Sequence, residues 1–146
     1  MDSSTKNNFR RVLAKHGQRY TRQRDVVFSI VSKTAAHPTA ENIYLEARSL
    51  LPSISLATVY KNLDTLVSCG LAKRVSHVDG SSRYCCRNDP HHHATCLGCG
   101  SVSDIPGTLG EEELSKVHTQ AGDFTITGYE LELNGYCPKC KPNSFS

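Results

Sequence analysis

The side chains best suited to chemistry are concentrated in residues 85–99, which hold four of the seven cysteines and three of the seven histidines. Thiolate sulfur and imidazole nitrogen are ligands that borderline ions such as Zn²⁺ prefer. Four of the cysteines form two Cys-x-x-Cys pairs, at residues 96–99 and 137–140. An odd number of cysteines arranged in such pairs favours metal binding over a disulfide framework.

Two Cys-x-x-Cys pairs can supply the four thiolates of a closed tetrahedral site, because the short spacer lets both sulfurs of a pair reach one ion. The sequence therefore predicts a structural zinc site whose ligands are Cys96, Cys99, Cys137 and Cys140. The alternative is two independent redox-active or free-thiol pairs. A thioredoxin-like pair, however, would need a strand-to-helix context that neither pair has.

A second cluster of metal-binding side chains surrounds three consecutive histidines at residues 91–93. Alternate residues of an extended segment point to the same side. We therefore expect His91 and His93 to share an ion while His92 faces elsewhere. The other donors near this run in the sequence are Cys85, Cys86 and Asp104. Such a mixture of ligands predicts a second, exchangeable metal site.

Charge is distributed unevenly along the chain, although its net value is only +3. Residues 1–84 carry 13 Lys and Arg against 6 Asp and Glu, whereas residues 85–146 carry 4 against 8. This asymmetry predicts two functional halves, of which the basic one binds a polyanion such as nucleic acid. The alternative is that the basic residues only form a solvated surface. The sequence has no apolar run of membrane-spanning length and no signal-peptide pattern, so we expect a soluble, cytoplasmic protein without a membrane partner.

The basic half reads as a series of short helices. Gly17 follows a helical pattern over residues 8–15 and is expected to end it. Three further helices have good N-caps, which are Thr21, Thr39 and Ser55. A short link at residues 51–54 joins the third and fourth helices, as in a helix-turn-helix whose second helix reads DNA.

A β-hairpin is expected directly after the fourth helix. Asp79-Gly80 lies between two strand patterns, residues 72–78 and 82–86, and this dipeptide is a strong hairpin signal. Helices followed by a hairpin form a winged helix, so we expect a DNA-binding domain over residues 1–84. The residues expected to contact DNA are Arg19, Tyr20, Arg22, Ser55, Thr58, Tyr60, Lys61 and Asn62. The alternative is a small helical domain that binds no nucleic acid.

The second half, residues 85–146, is expected to form a small α/β unit after a hinge at about residues 85–93. The predicted elements are a strand around Val102 and Ile105, a helix over residues 111–121 with Leu114 and Val117 facing inward, and strands at residues 124–126 and 129–133. A unit of this size with few large apolar residues is marginal alone. We therefore expect zinc and self-association to stabilise it.

Taken together, these segments resemble the ferric uptake regulator family of bacterial metal-dependent repressors, over residues 9–140. The resemblance rests on the order and spacing of residues 19–24 (Arg-Tyr-Thr-Arg-Gln-Arg), 37–44 (His-Pro-Thr-Ala-Glu-Asn-Ile-Tyr), 57–63 (Ala-Thr-Val-Tyr-Lys-Asn-Leu) and 82–84 (Ser-Arg-Tyr), the histidine run and both cysteine pairs. Residues 37–40 and Asp104 are most similar to the peroxide-sensing branch of the family.

The resemblance implies an α+β fold, in which an N-terminal winged helix-turn-helix precedes a small α/β dimerisation domain with a four-cysteine zinc site. It also implies a regulatory site in the hinge, with ligands at His37, Cys85, His91, His93 and Asp104. Its further implication is a cytoplasmic homodimer, not an enzyme, that represses metal-homeostasis or peroxide-stress genes. With Fe²⁺ or Mn²⁺ bound, such a dimer binds a palindromic operator in double-stranded DNA.

One position departs from the peroxide-sensing pattern, because Cys85 stands where that branch has Asp. Zinc-sensing members of the family use a Cys shortly before the same histidines, and thiolate is a softer ligand than carboxylate. A zinc-sensing uptake regulator is therefore an alternative, as is Cys86 in place of Cys85 as the ligand. A rival from another class is a zinc-thiolate redox switch without DNA binding. A zinc deaminase is disfavoured because it needs a Glu two residues after its ligand histidine, and His93 has none.

Overall fold

A computed structural model describes residues 3–76, 80–87, 89–107, 110–127, 129 and 131–141. The chain divides into two compact units, Met1–Asn88 and Asp89–Ser146. This division comes after the boundary predicted at residue 84 and falls inside the predicted hinge. None of the helices in the described residues is long and apolar enough to cross a membrane.

The first unit is a winged helix. Its elements are α1 (Ser3–Lys15), α2 (Arg22–Lys33), α3 (Ala40–Leu50), α4 (Leu56–Ser68), β1 (Lys73–Ser76) and β2 (Ser82–Cys85). β1 and β2 pair antiparallel, with Lys73 opposite Cys85 and Ser76 opposite Ser82. The predicted helices are confirmed, although α1 begins earlier than residue 8, and the two hairpin strands are confirmed over residues 73–76 and 82–85. Residues 77 and 78 of the first predicted strand lie outside the described residues. The predicted Asp79-Gly80 turn lies partly outside the described residues.

Side-chain caps set the starts of three helices, as the sequence predicted. Thr21 accepts a hydrogen bond from the backbone N–H of Arg24 at 3.2 Å. Thr39 accepts from the N–H of Asn42 at 3.2 Å, and the side chain of Asn42 accepts from the N–H of Thr39, which completes a capping box. Ser55 caps α4 by accepting from the N–H of Thr58 at 3.1 Å. These caps satisfy donors that a helix leaves unpaired, so they fix where α3 and α4 begin.

The core of the first unit lies among the four helices and the start of the hairpin. Its largest fully buried side chains include Phe9, Leu13, Ile43, Leu63, Leu66 and Tyr84. The rings of Phe9 and Phe28 stack with their centroids 4.3 Å apart, which ties α1 to α2. This packing holds α4 against the rest of the unit and leaves one of its faces exposed.

Asn62 is buried, so the prediction that it contacts DNA is wrong. Its amide donates to the backbone oxygen of Thr58 at 2.9 Å, and its oxygen accepts from Nε of Arg24 at 3.2 Å. Arg24 is also buried and donates to the backbone oxygen of Arg19 and to Thr65. A buried guanidinium needs acceptors from every side. Asn62 therefore joins α4 to α2 and does not face DNA.

In the part of the second unit that the structure describes, the chain forms a three-stranded sheet and one helix. Its elements are β3 (His91–Cys96), β4 (Val102–Pro106), α5 (Glu111–Gln120) and β5 (Glu132–Gly135). The strand order is β4-β3-β5, with β4 antiparallel and β5 parallel to β3. β3 therefore lies in the centre of this sheet. It contains His91 and His93 of one candidate metal site and ends at Cys96, the first cysteine of the other.

Two predictions for the second unit are wrong. Residues 124–127 are not a strand, and Phe124 is 82% exposed. Val117, expected to face inward from α5, is 51% exposed, whereas Leu114 is half-buried. Alternation of apolar residues predicts a strand only where a partner strand is available. The edge of β3 with which residues 124–126 could have paired is occupied by residues 132–135.

Candidate metal centres and nucleic-acid interface

Parallel pairing brings the two cysteine pairs together. Cys96 ends β3 and lies opposite Gly135, the last residue of β5. Because β3 and β5 run in the same direction, the turns that follow them leave the sheet at the same edge. The N–H of Leu97 donates to the oxygen of Gly135 at 2.7 Å, which fastens one turn to the other strand. Cys99 and Cys137 are therefore neighbours, although they are far apart in sequence.

The four sulfurs are arranged as a zinc ion requires. Those of Cys96, Cys99, Cys137 and Cys140 all lie within 4.8 Å of one another. Sγ of Cys99 is 3.8 Å from Sγ of Cys137. Zn–S bonds of about 2.3 Å in a tetrahedron place sulfurs about 3.8 Å apart. The chemistry and spacing of the cluster thus fit a structural Zn²⁺ ion, which the chain takes as its cofactor.

Backbone amides prepare the thiol of Cys96 to act as a thiolate. The N–H of Cys137 donates to Sγ of Cys96 at 3.3 Å. Hydrogen bonds from the amides of Cys137, Cys99 and Gly98 lower the pKa of Cys96 to about 6. Hydrogen bonding with Cys137 and Cys99 raises the pKa of Cys140 to about 12, because neighbouring thiolates disfavour one more negative charge. A divalent cation would remove that conflict by ligating all four sulfurs.

A glycine is required at position 98 because the turns that carry the two cysteine pairs lie very close together. A Cβ at this position would lie 2.7 Å from Cβ of Cys140 and 3.1 Å from its sulfur. Both of those atoms belong to a short side chain held in the cluster, so they cannot move aside. The glycine between the first two cysteines therefore lets the second pair close over the first.

A second group of donors in the same unit consists of His91, His93 and Asp104. Nε2 of His91 lies 3.1 Å from Nε2 of His93, and Oδ1 of Asp104 lies 3.7 Å and 3.5 Å from these two nitrogens. The register explains the grouping, because His93 is directly opposite Asp104 on the antiparallel strand β4. His92 faces away from this group, with its ring 6.2 Å from that of Tyr129.

The ring of His91 is oriented for ligation through Nε2. Its Nδ1 is 2.7 Å from the backbone oxygen of Asp89. A carbonyl oxygen can only accept, so Nδ1 carries the proton and Nε2 keeps its lone pair. Such a hydrogen bond to the far nitrogen is typical of histidines that bind metals.

The first unit carries a separate pair of donors, His37 and Cys85, whose donor atoms lie within 4.8 Å of each other. Both residues are buried. β2 positions His37, because Arg83 donates to the oxygen of His37 at 3.1 Å and the N–H of Tyr84 donates to the oxygen of Pro38 at 3.0 Å. The backbone of His37 has a φ of 48°, a left-handed conformation that is uncommon outside glycine and is often found at functional sites.

The two adjacent thiols at residues 85 and 86 have different surroundings. Cys86 packs against the hydrophobic core of the first unit, and burial raises the pKa of its thiol to about 12. Cys85 is the thiol near His37, and its sulfur accepts a hydrogen bond from the N–H of Arg87 at 3.5 Å.

The outer face of α4 forms a shallow groove, with Tyr60 and Lys61 exposed along it. Ser55 and Thr58 lie at the N-terminal end of α4, where the side chain of Ser55 is occupied as the N-cap. Among the other predicted contacts, Arg19 and Arg22 are exposed, and Tyr20 is half-buried with the Arg10 guanidinium 4.4 Å from its ring centroid. A residue that sequence reasoning missed is Glu41, which accepts a hydrogen bond from the hydroxyl of Tyr60 at 2.7 Å.

Comparison with known proteins agrees with this combination of fold and donors. The model of the ferric uptake regulator family matches residues 15–134. The peroxide operon regulator of Bacillus subtilis (strain 168) is 34% identical over 130 residues, which cover 88% of each protein. The Campylobacter jejuni peroxide stress regulator has a TM-score of 0.68 at 27% identity, covering 96% of this chain and 100% of its own. The Helicobacter pylori ferric uptake regulator has a TM-score of 0.78 at 20% identity, covering 97% and 94%, and shows the fold alone.

A winged helix joined to an α/β unit with a four-thiol cluster defines a class of metal-binding regulators. This chain belongs to the ferric uptake regulator family. Within the family it is similar to proteins named as peroxide regulators.

Proposed function

We propose that this chain is a metal-dependent transcriptional repressor that acts as a cytoplasmic homodimer. The observation that carries the proposal is the group formed by His91, His93 and Asp104, which is separate from the four-thiol zinc cluster. A structural zinc site needs no further donors. A second group of two imidazoles and one carboxylate, in a chain with a winged helix, supports an exchangeable metal that controls DNA binding.

The regulatory ligands in this proposal are His37, Cys85, His91, His93 and Asp104. Each unit contributes donors that are already grouped, which lowers the entropy cost of assembling a site. A bound ion would favour the DNA-binding arrangement of the dimer over other arrangements by binding it more tightly. We take Cys85 and not Cys86 as the thiol ligand, because Cys86 packs into the core of the first unit.

DNA recognition is assigned to the exposed face of α4 and to basic residues around the start of α2. Tyr60, Lys61 and Thr58 would reach base edges or phosphates in the major groove. Arg19, Tyr20, Arg22 and Ser55 would position the unit on the sugar-phosphate backbone. A dimer places two such units on one face of DNA about 34 Å apart, which requires a palindromic operator.

The names of two relatives suggest peroxide stress as the regulated process, and the description of the family suggests metal homeostasis. Fe²⁺ or Mn²⁺ is the proposed regulatory metal, in keeping with the segment at residues 37–40 and with Asp104. A zinc-sensing uptake regulator is the second candidate, because Cys85 supplies a softer ligand than the carboxylate that it replaces.

The decisive experiment measures DNA affinity against metal. Full-length protein with zinc in the four-thiol cluster is used to select duplexes from a random library, and the selected duplex is titrated at rising Fe²⁺, Mn²⁺ and Zn²⁺. We expect at least one metal to strengthen binding, and the affinity to fall steeply with salt because phosphate contacts release counterions. Binding that no metal changes would refute a metal-dependent repressor, and oxidant-driven zinc release without any DNA retention would favour a redox switch.

Replacing Cys85 by Asp should shift metal preference from Zn²⁺ toward Fe²⁺ and Mn²⁺, because carboxylate suits harder ions. In the wild-type chain, Co²⁺ at this site should add sulfur-to-metal charge-transfer absorbance to that of the four-thiol cluster. Cys85→Asp should remove this additional absorbance. Cys86→Ala is the matched control and should retain that band. If Cys85→Ala kept the band and Cys86→Ala lost it, the assignment of the ligand would move to Cys86.

A further inference from the structure

Tyr60 and Glu41 form a contact between the two helices of the helix-turn-helix. Tyr60 lies in α4 with its side chain 40% exposed, and its hydroxyl is 2.7 Å from Oε1 of Glu41 in α3. An ionised carboxylate can only accept hydrogen bonds, so the hydroxyl of Tyr60 is the donor. The hydroxyl proton of Tyr60 is therefore already engaged in a hydrogen bond when DNA is absent.

The same contact stabilises one protonation state of each partner. The hydrogen bond from Tyr60 holds the pKa of Glu41 below its ordinary value, and the bond to Glu41 holds the pKa of Tyr60 above its ordinary value. At neutral pH Glu41 is therefore ionised and Tyr60 keeps its proton. The direction of the hydrogen bond is fixed throughout the physiological range.

Glu41 is held in place independently of Tyr60. It lies in the first turn of α3, between Thr39 and Asn42 of the capping box, where a negative charge also interacts favourably with the helix dipole. α3 and α4 pack through buried residues, including Ile43, Ala47 and Val59. The backbone of Glu41 is thus fixed, and its exposed carboxylate reaches the hydroxyl of Tyr60 from that position.

A carboxylate beside a DNA-reading helix has an electrostatic cost, since it repels phosphate. Asp64, the acidic residue of α4 itself, is neutralised by Arg74 at 2.6 Å. Glu41 instead meets the neutral hydroxyl of Tyr60. An uncompensated charge at such a place reduces affinity for all sequences and is useful only where it increases discrimination.

We propose that Glu41 is a positioning residue for base recognition, which makes Tyr60 a hydrogen-bond acceptor toward the major groove. This inference rests on the proposed DNA-binding function. With its O–H engaged in the hydrogen bond to Glu41, the phenol oxygen of Tyr60 offers only lone pairs to DNA. In the major groove, adenine N6 and cytosine N4 are donors, whereas guanine and thymine present acceptors at the corresponding positions. Tyr60 therefore selects adenine or cytosine at one position of each half-site.

The test compares metal-loaded, full-length variants by selection from a random duplex library. Tyr60→Phe identifies the position that Tyr60 reads, because it removes only the oxygen. Glu41→Ala frees the hydroxyl to donate or accept, so preference for adenine or cytosine there should fall about tenfold, the cost of one typical mismatch. Glu41→Gln keeps an acceptor oxygen and should retain the preference while binding all sequences more tightly. Glu46→Ala, at an exposed carboxylate of the same helix, should leave the preference unchanged.

A second measurement needs no DNA. The pKa of Tyr60, obtained as the difference in tyrosinate absorbance between the wild-type chain and Tyr60→Phe, should be raised in the wild-type chain and should fall in Glu41→Ala. Wild-type preference in Glu41→Ala, or loss of preference in both Glu41 variants, would overturn the inference while leaving the proposed function intact. Failure of the wild-type chain to select any duplex with any metal would overturn both.

Discussion

Replacing Cys96 by Ser is expected to release zinc and unfold most of the second unit. Serine has nearly the same size but supplies a neutral hydroxyl in place of a thiolate, so the cluster loses one of its four ligands. Structural zinc contributes on the order of 10 kcal/mol to folding in small modules. A unit of this size has little core with which to offset that loss. The measurements are zinc content, sedimentation and amide exchange of residues 91–107.

Cys69→Ala is the matched control, because Cys69 is a buried thiol in the core of the first unit. It should retain full zinc content and the dimer, with only the modest cost of a small packing change. A Cys96→Ser protein that sediments as a stable dimer with one zinc per chain would contradict the four-thiolate site.

Replacing His93 by Ala should abolish the metal response of DNA binding. His93 is the residue closest to both other donors of its group, at 3.1 Å from His91 and 3.5 Å from Asp104. Loss of a residue that only supports a ligand costs about 10–100-fold in metal affinity, so loss of a ligand should cost more than about 100-fold. Structural zinc should remain, because the four-thiol cluster does not use this residue.

His118→Ala is the control for the loss of one imidazole, since His118 is exposed on α5. Metal-dependent DNA affinity is measured for both variants by fluorescence anisotropy over a range of metal concentrations. If His93→Ala responded to metal as the wild-type chain does, the regulatory site would have to be built from other residues.

Local rules account well for the first unit. Thr21, Thr39 and Ser55 were recognisable as caps because each satisfies backbone donors a few residues away, and that requirement is visible in sequence. The alternation of His91, His92 and His93 likewise followed from strand geometry alone. The four-thiol cluster was predictable from spacing, since two Cys-x-x-Cys pairs have few other uses.

Long-range partners could not be read in the same way. Asn62 appeared to be an outward polar residue because nothing in its neighbourhood reveals that Arg24 of α2 is buried against it. Glu41 was overlooked because its partner Tyr60 lies on another helix. The strand expected at residues 124–126 failed because the site of β5 depends on which segment can pair with β3, a competition that no local pattern describes.

The six-residue strand β3 carries candidate ligands of both metal sites. His91 and His93 of the proposed regulatory site lie near its start, and Cys96 of the zinc cluster lies at its end. Its pairing with β5 ends just before the turn that contains Cys137 and Cys140, and its pairing with β4 sets His93 opposite Asp104. Loss of zinc would loosen the pairing of β3 with β5. It would thereby also disturb the position of β3 against β4, which sets His93 opposite Asp104. In the proposed function, occupancy of the zinc site and occupancy of the regulatory site would therefore be thermodynamically coupled, and this coupling would be reciprocal. A chain without zinc should then fail to respond to its regulatory metal.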